Sequence, residues 1–459
     1  MKKLLTTLND QRGEEVTVSG WVKNIREHSK VAFIDLRDSS GTLQVVIEED
    51  LIPTLKELGA EFLIEVTGAV KERGEKQKRS DESMGEIELL ANKITVISPS
   101  LTPPFQLDED TSSVGEDVRL PKRYLDLRTE RLQKNIKKRH DALLFLRNYY
   151  SGEGFLEIET PQLTKGTPEG AREFFVPSRK EIGKAYVLPQ SPQQYKQLLM
   201  VGGFDRYIQV ARCFRDEDKR ADRQPEFTQL DIEASFVTQE DILNLIENSM
   251  VEMVQKVFPG KEMTSLPFPR ITYTEAIEKY KSDKPDIREN KEDGGELGFL
   301  WVVDFPMFEK DEETGKINAA HHPFTMPQDE DLERKSEEEL LSVPAYSYDL
   351  VLNGFELGSG SIRVHQQDLQ RKIFSVLGLP DDEIQSRFGH MLEAFSYSPP
   401  PHGGFAIGID RLLAVLLNED NIREVIAFPK TGEGKELVTG APAEISAQTL
   451  TETGIRFEK

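Results

Sequence analysis

Two stretches hold residues whose types and spacing can do chemistry. In the first, Phe214 to Asp231, the residues Arg215, Asp216, Glu217, Asp218, Lys219, Arg220, Asp222 and Arg223 crowd between two alternating runs, Tyr207–Arg212 and Phe227–Phe236. Alternation of apolar and polar residues predicts half-buried strands. Charge at that density is too costly to bury unless it meets the charges of a ligand, and an arginine at the end of the first strand can hold a nucleotide triphosphate. The second stretch is Asp349-Leu350-Val351-Leu352-Asn353-Gly354-Phe355-Glu356. Asn-Gly between apolar runs predicts a two-residue hairpin turn, with Val351 opposite Glu356. Asp349 then shares the face of Glu356, one diagonal away, at about 7–8 Å between Cα atoms. Two carboxylates so placed can share a magnesium ion; taken alone, they read rather as two solvent-facing acids on a hairpin.

Further candidates are scattered. His321-His322 could belong to a zinc site, but no third ligand stands at a familiar spacing. Gln190-Ser191-Pro192-Gln193-Gln194-Tyr195-Lys196, as a bare string, suggests a turn. Gly403–Leu412 reads as a strand entering an amphipathic helix, its small residues letting backbone approach a ligand. The one cysteine, Cys213, excludes an intrachain disulfide framework and an all-cysteine zinc site.

The elements that must position these residues follow from length and pattern. A chain of 459 residues, 37% of them hydrophobic, has core enough for two or three domains. No apolar run approaches the ~18 residues of a membrane span, and the N-terminus turns polar at once, so cytoplasm is the expected compartment. A net charge of −23 argues against a generic nucleic-acid binder. Its distribution is uneven: nine basic residues against two acidic between Arg119 and Arg139, and eleven acidic against four basic between Glu309 and Glu339. The basic belt permits a local, salt-sensitive contact with an RNA backbone.

Strand-like runs at Glu15–Ile25, Val31–Arg37, Thr42–Glu48, Phe62–Lys71 and Glu86–Ile97, with a helical segment Leu51–Leu58 after the third, give the order of an OB-fold. Phe33 and Gln44 fall on adjacent strands, where an aromatic platform and a base-edge reader could meet a single-stranded nucleic acid. Three prolines within residues 98–104 mark a linker. Helical spacing over Leu132–Tyr150 leads through Gly152 and Gly154 to a strand, Phe155–Thr160, stopped by Pro161. Helices are expected at Gln239–Val257, Tyr273–Tyr280 and Gln366–Leu377, a loop at Ser282–Gly295, a buried strand at Leu300–Phe305, and a surface excursion over 309–339.

In this order the stretches resemble the three motifs of the class II aminoacyl-tRNA synthetases in their bacterial aspartyl form, over nearly the whole chain. The resemblance implies an α+β protein. An OB-fold β-barrel (1–103) would bind the anticodon, a hinge would span 104–130, and a catalytic domain (131–459) would be built on an antiparallel sheet flanked by helices. The helix–strand–proline stretch resembles motif 1, which implies a homodimer. Arg215 matches the arginine that bridges the amino acid's carboxylate and the ATP α-phosphate. A cation is needed there because both reactants are anionic and the pentavalent phosphorus adds charge. Asp216, Glu217, Gln224 and Phe227 match ATP-contacting positions, Phe227 as a ring for adenine. Motif 3 supplies Gly408, Ile409, Asp410 and Arg411, the last for the γ-phosphate. Asp349 and Glu356 match the magnesium-binding pair. For L-aspartate the matching residues are Glu169, Ser191, Gln193, Lys196, Asp231, His321, His322 and Arg363, the last pairing with the β-carboxylate. Phe33 and Gln44 match readers of the anticodon's central uridine. His28 stands where related enzymes that charge both tRNA(Asp) and tRNA(Asn) carry histidine, so relaxed tRNA specificity is hypothesised.

The chain departs from the family twice. An inserted domain of about a hundred residues, an ordinary domain size, is absent between motif 2 and the double histidine. Ser359 replaces a favoured glycine. Two rivals remain at this stage: a catalytically dead OB-fold RNA-binding protein, and a tRNA-independent amino-acid-activating paralogue. The first is opposed by Arg215, Asp349, Glu356, Arg363 and Arg411 together, the second by the barrel.

Overall fold

The structure, a computed structural model, describes residues 3–79, 84–166, 170–217, 222–311 and 314–457. The chain divides into two compact units, residues 1–134 and 135–459.

In the first unit, strands β1 (Glu15–Glu27), β2 (Val31–Asp38), β3 (Gly41–Glu48), β4 (Leu63–Glu72) and β5 (Ile87–Ser98) close a barrel in the order β1-β2-β3-β5-β4. Every second residue of β2, Ala32, Ile34 and Leu36, points into its core, with Val18, Val45 and Val66 from neighbouring strands. The segment between β3 and β4 forms a 3-10 helix, Glu49–Glu57, rather than an α-helix. Pro53 sits inside it and removes a donor the α-helical ladder would need. The basic belt is largely engaged within the protein. Arg119 and Arg123 are buried on the carboxylate of Asp126, and Arg128 pairs with Glu61 while stacking on Trp21. Arg131 meets Asp110. Lys138 and Arg139 bond within the second unit. At least six of the nine cations of the belt thus have partners within the protein.

The second unit is built on an eight-stranded sheet. Its elements, in chain order, are α1 (Glu130–Gly152), β6 (Leu156–Glu157), α2 (Gln193–Val201), β7 (Arg206–Phe214), β8 (Glu226–Ser235) and α3 (Gln239–Val257). Then come β9 (Arg270–Thr272), β10 (Phe299–Val303), β11 (Ser347–Leu352), β12 (Phe355–Ile362), α4 (Gln367–Val376), α5 (Asp381–Phe395), β13 (His402–Gly408) and α6 (Ile409–Leu417). The strand order is β9-β10-β11-β12-β13-β8-β7-β6. The six inner strands are antiparallel, and a parallel pair closes each edge. The strand expected over Phe155–Thr160 shrinks to Leu156–Glu157, because only those two residues find a partner, Tyr207 and Ile208. Helix α5, which the sequence reading passed over, opens on Asp381-Asp382-Glu383, acids that suit a helix N-terminus.

α1, α3 and α6 pack their apolar faces against one side of the sheet through Leu146, Ile246, Met250, Leu412 and Leu416. α3 begins with a capping box in which Thr238 and Asp241 exchange side-chain and main-chain bonds. Strands β12 and β13 approach closely: a Cβ on Gly358 would stand 2.1 Å from the carbonyl oxygen of Ala406. Among the described residues no helix is long and apolar enough to cross a membrane.

Candidate active site

Strand β8 sets the site's register. Asp231 lies opposite Gln209 and Ala406, and Glu233 opposite Tyr207 and Gly404. Residues two apart on a strand share a face, so the two carboxylates project together, and both are buried. Glycine at 404 makes the room: a Cβ there would stand 2.0 Å from Glu233 Oε2.

Two cations answer these acids. Lys196, on α2, places Nζ 3.0 Å from Asp231 Oδ1 and 3.4 Å from Glu233 Oε2. Arg363, one residue past β12, grips Glu233 with Nε to Oε1 at 2.9 Å and Nη2 to Oε2 at 3.1 Å. Its Nη1 donates to Ser361 Oγ at 2.7 Å and to His322 Nε2 at 2.6 Å. Burial works against the ionised form of Glu233, but Arg363 and Lys196 outweigh it and hold the carboxyl below its ordinary range. Burial, helped by Arg363, pushes His322 well below the usual histidine range, so the ring is neutral and its Nε2 is free to accept from Arg363. Burial above all raises Asp231, against the pull of Lys196. Its Oδ2 is buried without a partner among the described residues.

The donors left over define what this cleft takes. A guanidinium has five N–H groups and an ammonium three. Four of Arg363's point at Glu233, Ser361 and His322, and two of Lys196's at Asp231 and Glu233. Among the described residues one donor remains on each, Asp231 keeps an unpaired acceptor at Oδ2, and His321 Nδ1 is also without a partner. Ser191, Gln193, Lys196, Asp231, His321, His322 and Arg363 line a cavity of about 190 Å³. Its free groups suit a ligand with one cationic end and one carboxylate. Ser191 Oγ accepts from the Gln193 main chain at 3.1 Å. Gln193 leads through Gln197 to His402.

A second cavity, about 270 Å³, adjoins the first, with Arg215, Gln229, Ser359 and Ala406 lining both. Glu217, Gln224, Phe227, Glu356, Gly408, Asp410 and Arg411 also line it. The guanidinium of Arg215 lies 5.0 Å from the Phe227 ring centroid. Arg411 donates to the Glu356 carbonyl and pairs with Asp222 at 3.0 Å. Arg215 and Arg411 each keep a buried Nε without a partner among the described residues, a donor that an anionic ligand could satisfy.

Other candidates have more specific surroundings. Gln224 has its carboxamide doubly bonded to the main chain of Lys430. Asp216 pairs through its backbone with Arg172 and lines neither cavity. Ile409 is buried in the core. Glu169 lies outside the described residues; just beyond it, Ala171 is pinned by both ends of the Gln190 side chain.

The Asn353-Gly354 hairpin forms in the expected register, with Val351 opposite Glu356. An irregularity then skips Leu357, so that Asp349 faces Ser359. The two acids still come together: the charge of Asp349, more than burial, raises the Glu356 carboxyl above its ordinary range. His321 Nε2 lies 3.2 Å from Asp349 Oδ1. Burial lowers its pKa, but Asp349 overrides that and leaves it raised.

On the barrel's outer face Phe33 is half-buried and outside the core. His28 meets it edge to face at 5.9 Å. Gln44 accepts weakly from Arg26 at 3.4 Å and donates to Glu88 at 3.1 Å. Sequence reasoning had missed Arg26 and Glu88, and in the catalytic unit Glu233, Ser361 and Asp222. Glu233 was legible in principle, as an acid two residues from Asp231 on a run whose alternate positions face one way.

Residues 115–432 match the family described as tRNA synthetases class II (D, K and N), and residues 16–97 the OB-fold nucleic acid binding domain. An aspartate–tRNA ligase of Staphylococcus saprophyticus is 38% identical, covering 97% of this chain and 97% of that protein. An aspartate–tRNA(Asp/Asn) ligase of Dictyoglomus turgidum is 40% identical over 97% and 96%. The Staphylococcus alignment runs over 574 positions against 459 residues here, so at least 115 of them (574 less 459) face no residue of this chain. Among solved structures, asparaginyl-tRNA synthetase from Pyrococcus horikoshii with asparaginyl-adenylate shares the fold at a TM-score of 0.75, 23% identity and coverage of 94% and 98%. Aspartyl-tRNA synthetase from Entamoeba histolytica does so at 0.71, 22%, 94% and 91%.

The buried cluster generates one prediction. Glu233→Gln leaves Lys196 and Arg363 without their shared counter-charge, and should cost about 3 kcal/mol of unfolding free energy, the scale for breaking a buried ion pair. Chemical denaturation measures it; an unchanged midpoint would contradict the pairing.

Proposed function

We propose that this chain, which belongs to the class II aminoacyl-tRNA synthetases and within them to the aspartate–tRNA ligases, activates L-aspartate with ATP and transfers it to tRNA(Asp). The observation that carries the substrate is the donor-only end of the smaller cavity. The leftover N–H groups of Lys196 and Arg363 both seek an acceptor, and aspartate's β-carboxylate is one. Asparagine's amide would turn an NH2 toward one of those donors. The substrate's ammonium completes Asp231 Oδ2, and Glu169 is assigned to it as well. Its α-carboxylate then lies toward Arg215, where the two cavities meet.

ATP occupies the larger cavity, with the adenine on Phe227, the γ-phosphate on Arg411 and the α-phosphate on Arg215. Arg215 must leave the Phe227 ring as adenine arrives. The aspartate α-carboxylate attacks the α-phosphorus in line, pyrophosphate leaves, and aspartyl-adenylate remains. The terminal ribose hydroxyl of tRNA then takes the aspartyl group and AMP departs. Positioning and charge neutralisation supply the catalysis; no general base is nominated among the described residues. The repulsion between Asp349 and Glu356 fits a site for a divalent cation. Magnesium accepts such a pair, taking its other ligands from phosphates and water. When bound, magnesium would neutralise triphosphate charge.

The barrel, with Phe33, Gln44 and His28 grouped on one face, is the anticodon reader. The presence of His28 and the naming of the Dictyoglomus relative support tRNA(Asn) as a second acceptor. Exposed Leu144 on α1 and Leu156 on β6 lie in the motif 1 stretch and support a homodimer. The single buried cysteine suits a cytoplasmic enzyme.

Aspartate-dependent ATP–pyrophosphate exchange tests the reading. Exchange should require magnesium, and asparagine or lysine should not replace aspartate; exchange with either of those alone would overturn it. Arg363→Ala should raise the KM for aspartate about a hundredfold while leaving that for ATP within a few-fold, given the scale for a lost buried charge contact. An equal loss of both contradicts the assignment. Aminoacylation of purified tRNA(Asp) and tRNA(Asn) should succeed with both; failure with tRNA(Asn) restricts the enzyme to tRNA(Asp).

A further inference from the structure

Motifs 2 and 3 flank the nucleotide cavity from adjacent strands, and a residue of α1 outside the cavity joins them. Arg139 Nη1 donates to Asp410 Oδ1 at 2.5 Å and to the Val425 carbonyl at 3.2 Å, and Nη2 donates to Thr228 Oγ1 at 3.0 Å. The other oxygen of Asp410 accepts from the Thr228 main-chain N–H at 2.9 Å. Asp410 is thus held by both Arg139 and Thr228, and its side chain is 4% exposed. One turn earlier on α1, Asn135 bonds Glu419 Oε1 and the Glu424 carbonyl, so this helix face is fixed to the segment following α6.

Thr228 follows Phe227, and Asp410 precedes Arg411. Phe227 and Arg411 line the same cavity, one on β8 and the other in the first turn of α6. The Arg139–Asp410–Thr228 bridge ties together the backbones on which both are mounted. It touches neither Lys196, Arg363 nor Asp231, which stand on α2, beyond β12 and further along β8. A planar guanidinium reaches all three acceptors with a fixed fork, which an ammonium cannot reproduce.

We propose that Arg139 is a positioning residue for the nucleotide, fixing the spacing between Phe227 and Arg411 through Asp410 and Thr228. The proposal rests on the reading that the chain activates aspartate with ATP. Loss of the bridge lets α6 and β8 shift against each other, and displacements near an ångström are costly at a reacting centre.

The test is steady-state ATP–pyrophosphate exchange with the full chain and its Arg139→Ala, Arg139→Lys and Thr228→Val variants. Arg139→Ala should raise the KM for ATP about tenfold or more, with the KM for aspartate within about twofold. Arg139→Lys should restore only part of the loss. Thr228→Val keeps the strand, where valine fits well, and removes the hydroxyl that accepts from Arg139 and also from Arg212 at 3.1 Å; a rise of about threefold in the same KM is expected. Should Arg139→Ala fail to fold, Thr228→Val and Arg139→Lys decide. Unchanged KM values, or values for ATP and aspartate rising together, would make Arg139 a general scaffold residue and overturn the proposal. No aspartate-dependent exchange by the unaltered chain would instead defeat the functional reading itself.

Discussion

Four buried ionisable side chains meet beside the smaller cavity: Lys196, Asp231, Glu233 and Arg363. Each alone would carry a desolvation penalty of several kcal/mol. Together their formal charges cancel, and each is fixed by at least one ion pair. The arrangement is stable only if β8 presents both acids on one face, β13 is small enough at Gly404 to admit Glu233, and α2 and the end of β12 bring the cations from two sides. The cleft's chemistry follows from what remains unpaired after that neutralisation: two donors and one acceptor.

The same sheet carries the second half of the reaction. Arg215 and Gln229 line both cavities, so on the proposed assignment the reacting carboxylate and phosphate would meet at the end of β7. Arg411 and Glu356 line the larger cavity, with Asp349 beside Glu356, and these are the groups proposed to meet the triphosphate. The formal charges of Lys196, Arg363, Asp231 and Glu233 cancel, whereas Arg215 and Arg411 each keep a buried Nε without a partner among the described residues.

Much of this was legible in the sequence because its signals are local. Period-two alternation located all five barrel strands and both strands of motif 2, and Asn353-Gly354 gave the hairpin and its register as far as Glu356. The skip at Leu357 was not legible, because an irregular strand leaves no mark on a hydrophobic pattern. Glu233 was passed over because its importance depends on Arg363, 130 positions away in the chain. The basic belt misled for a related reason: composition shows that cations are present, while only the fold shows that Arg119 and Arg123 surround Asp126. The helical reading of 51–58 overlooked Pro53. The resemblance to a known family, not spacing, assigned Arg215 and Arg411 to phosphates, and the unpaired Nε of each supports that assignment.

Leftover donors on Lys196 and Arg363 are proposed to select a side-chain carboxylate. Calorimetric titration of the protein with non-hydrolysable aspartyl- and asparaginyl-adenylate analogues tests it most directly. The account predicts that the aspartyl analogue binds tighter by about a hundredfold or more, the scale on which buried polar groups reject a mismatched partner. Equal affinities, or a preference for the asparaginyl analogue, would contradict it.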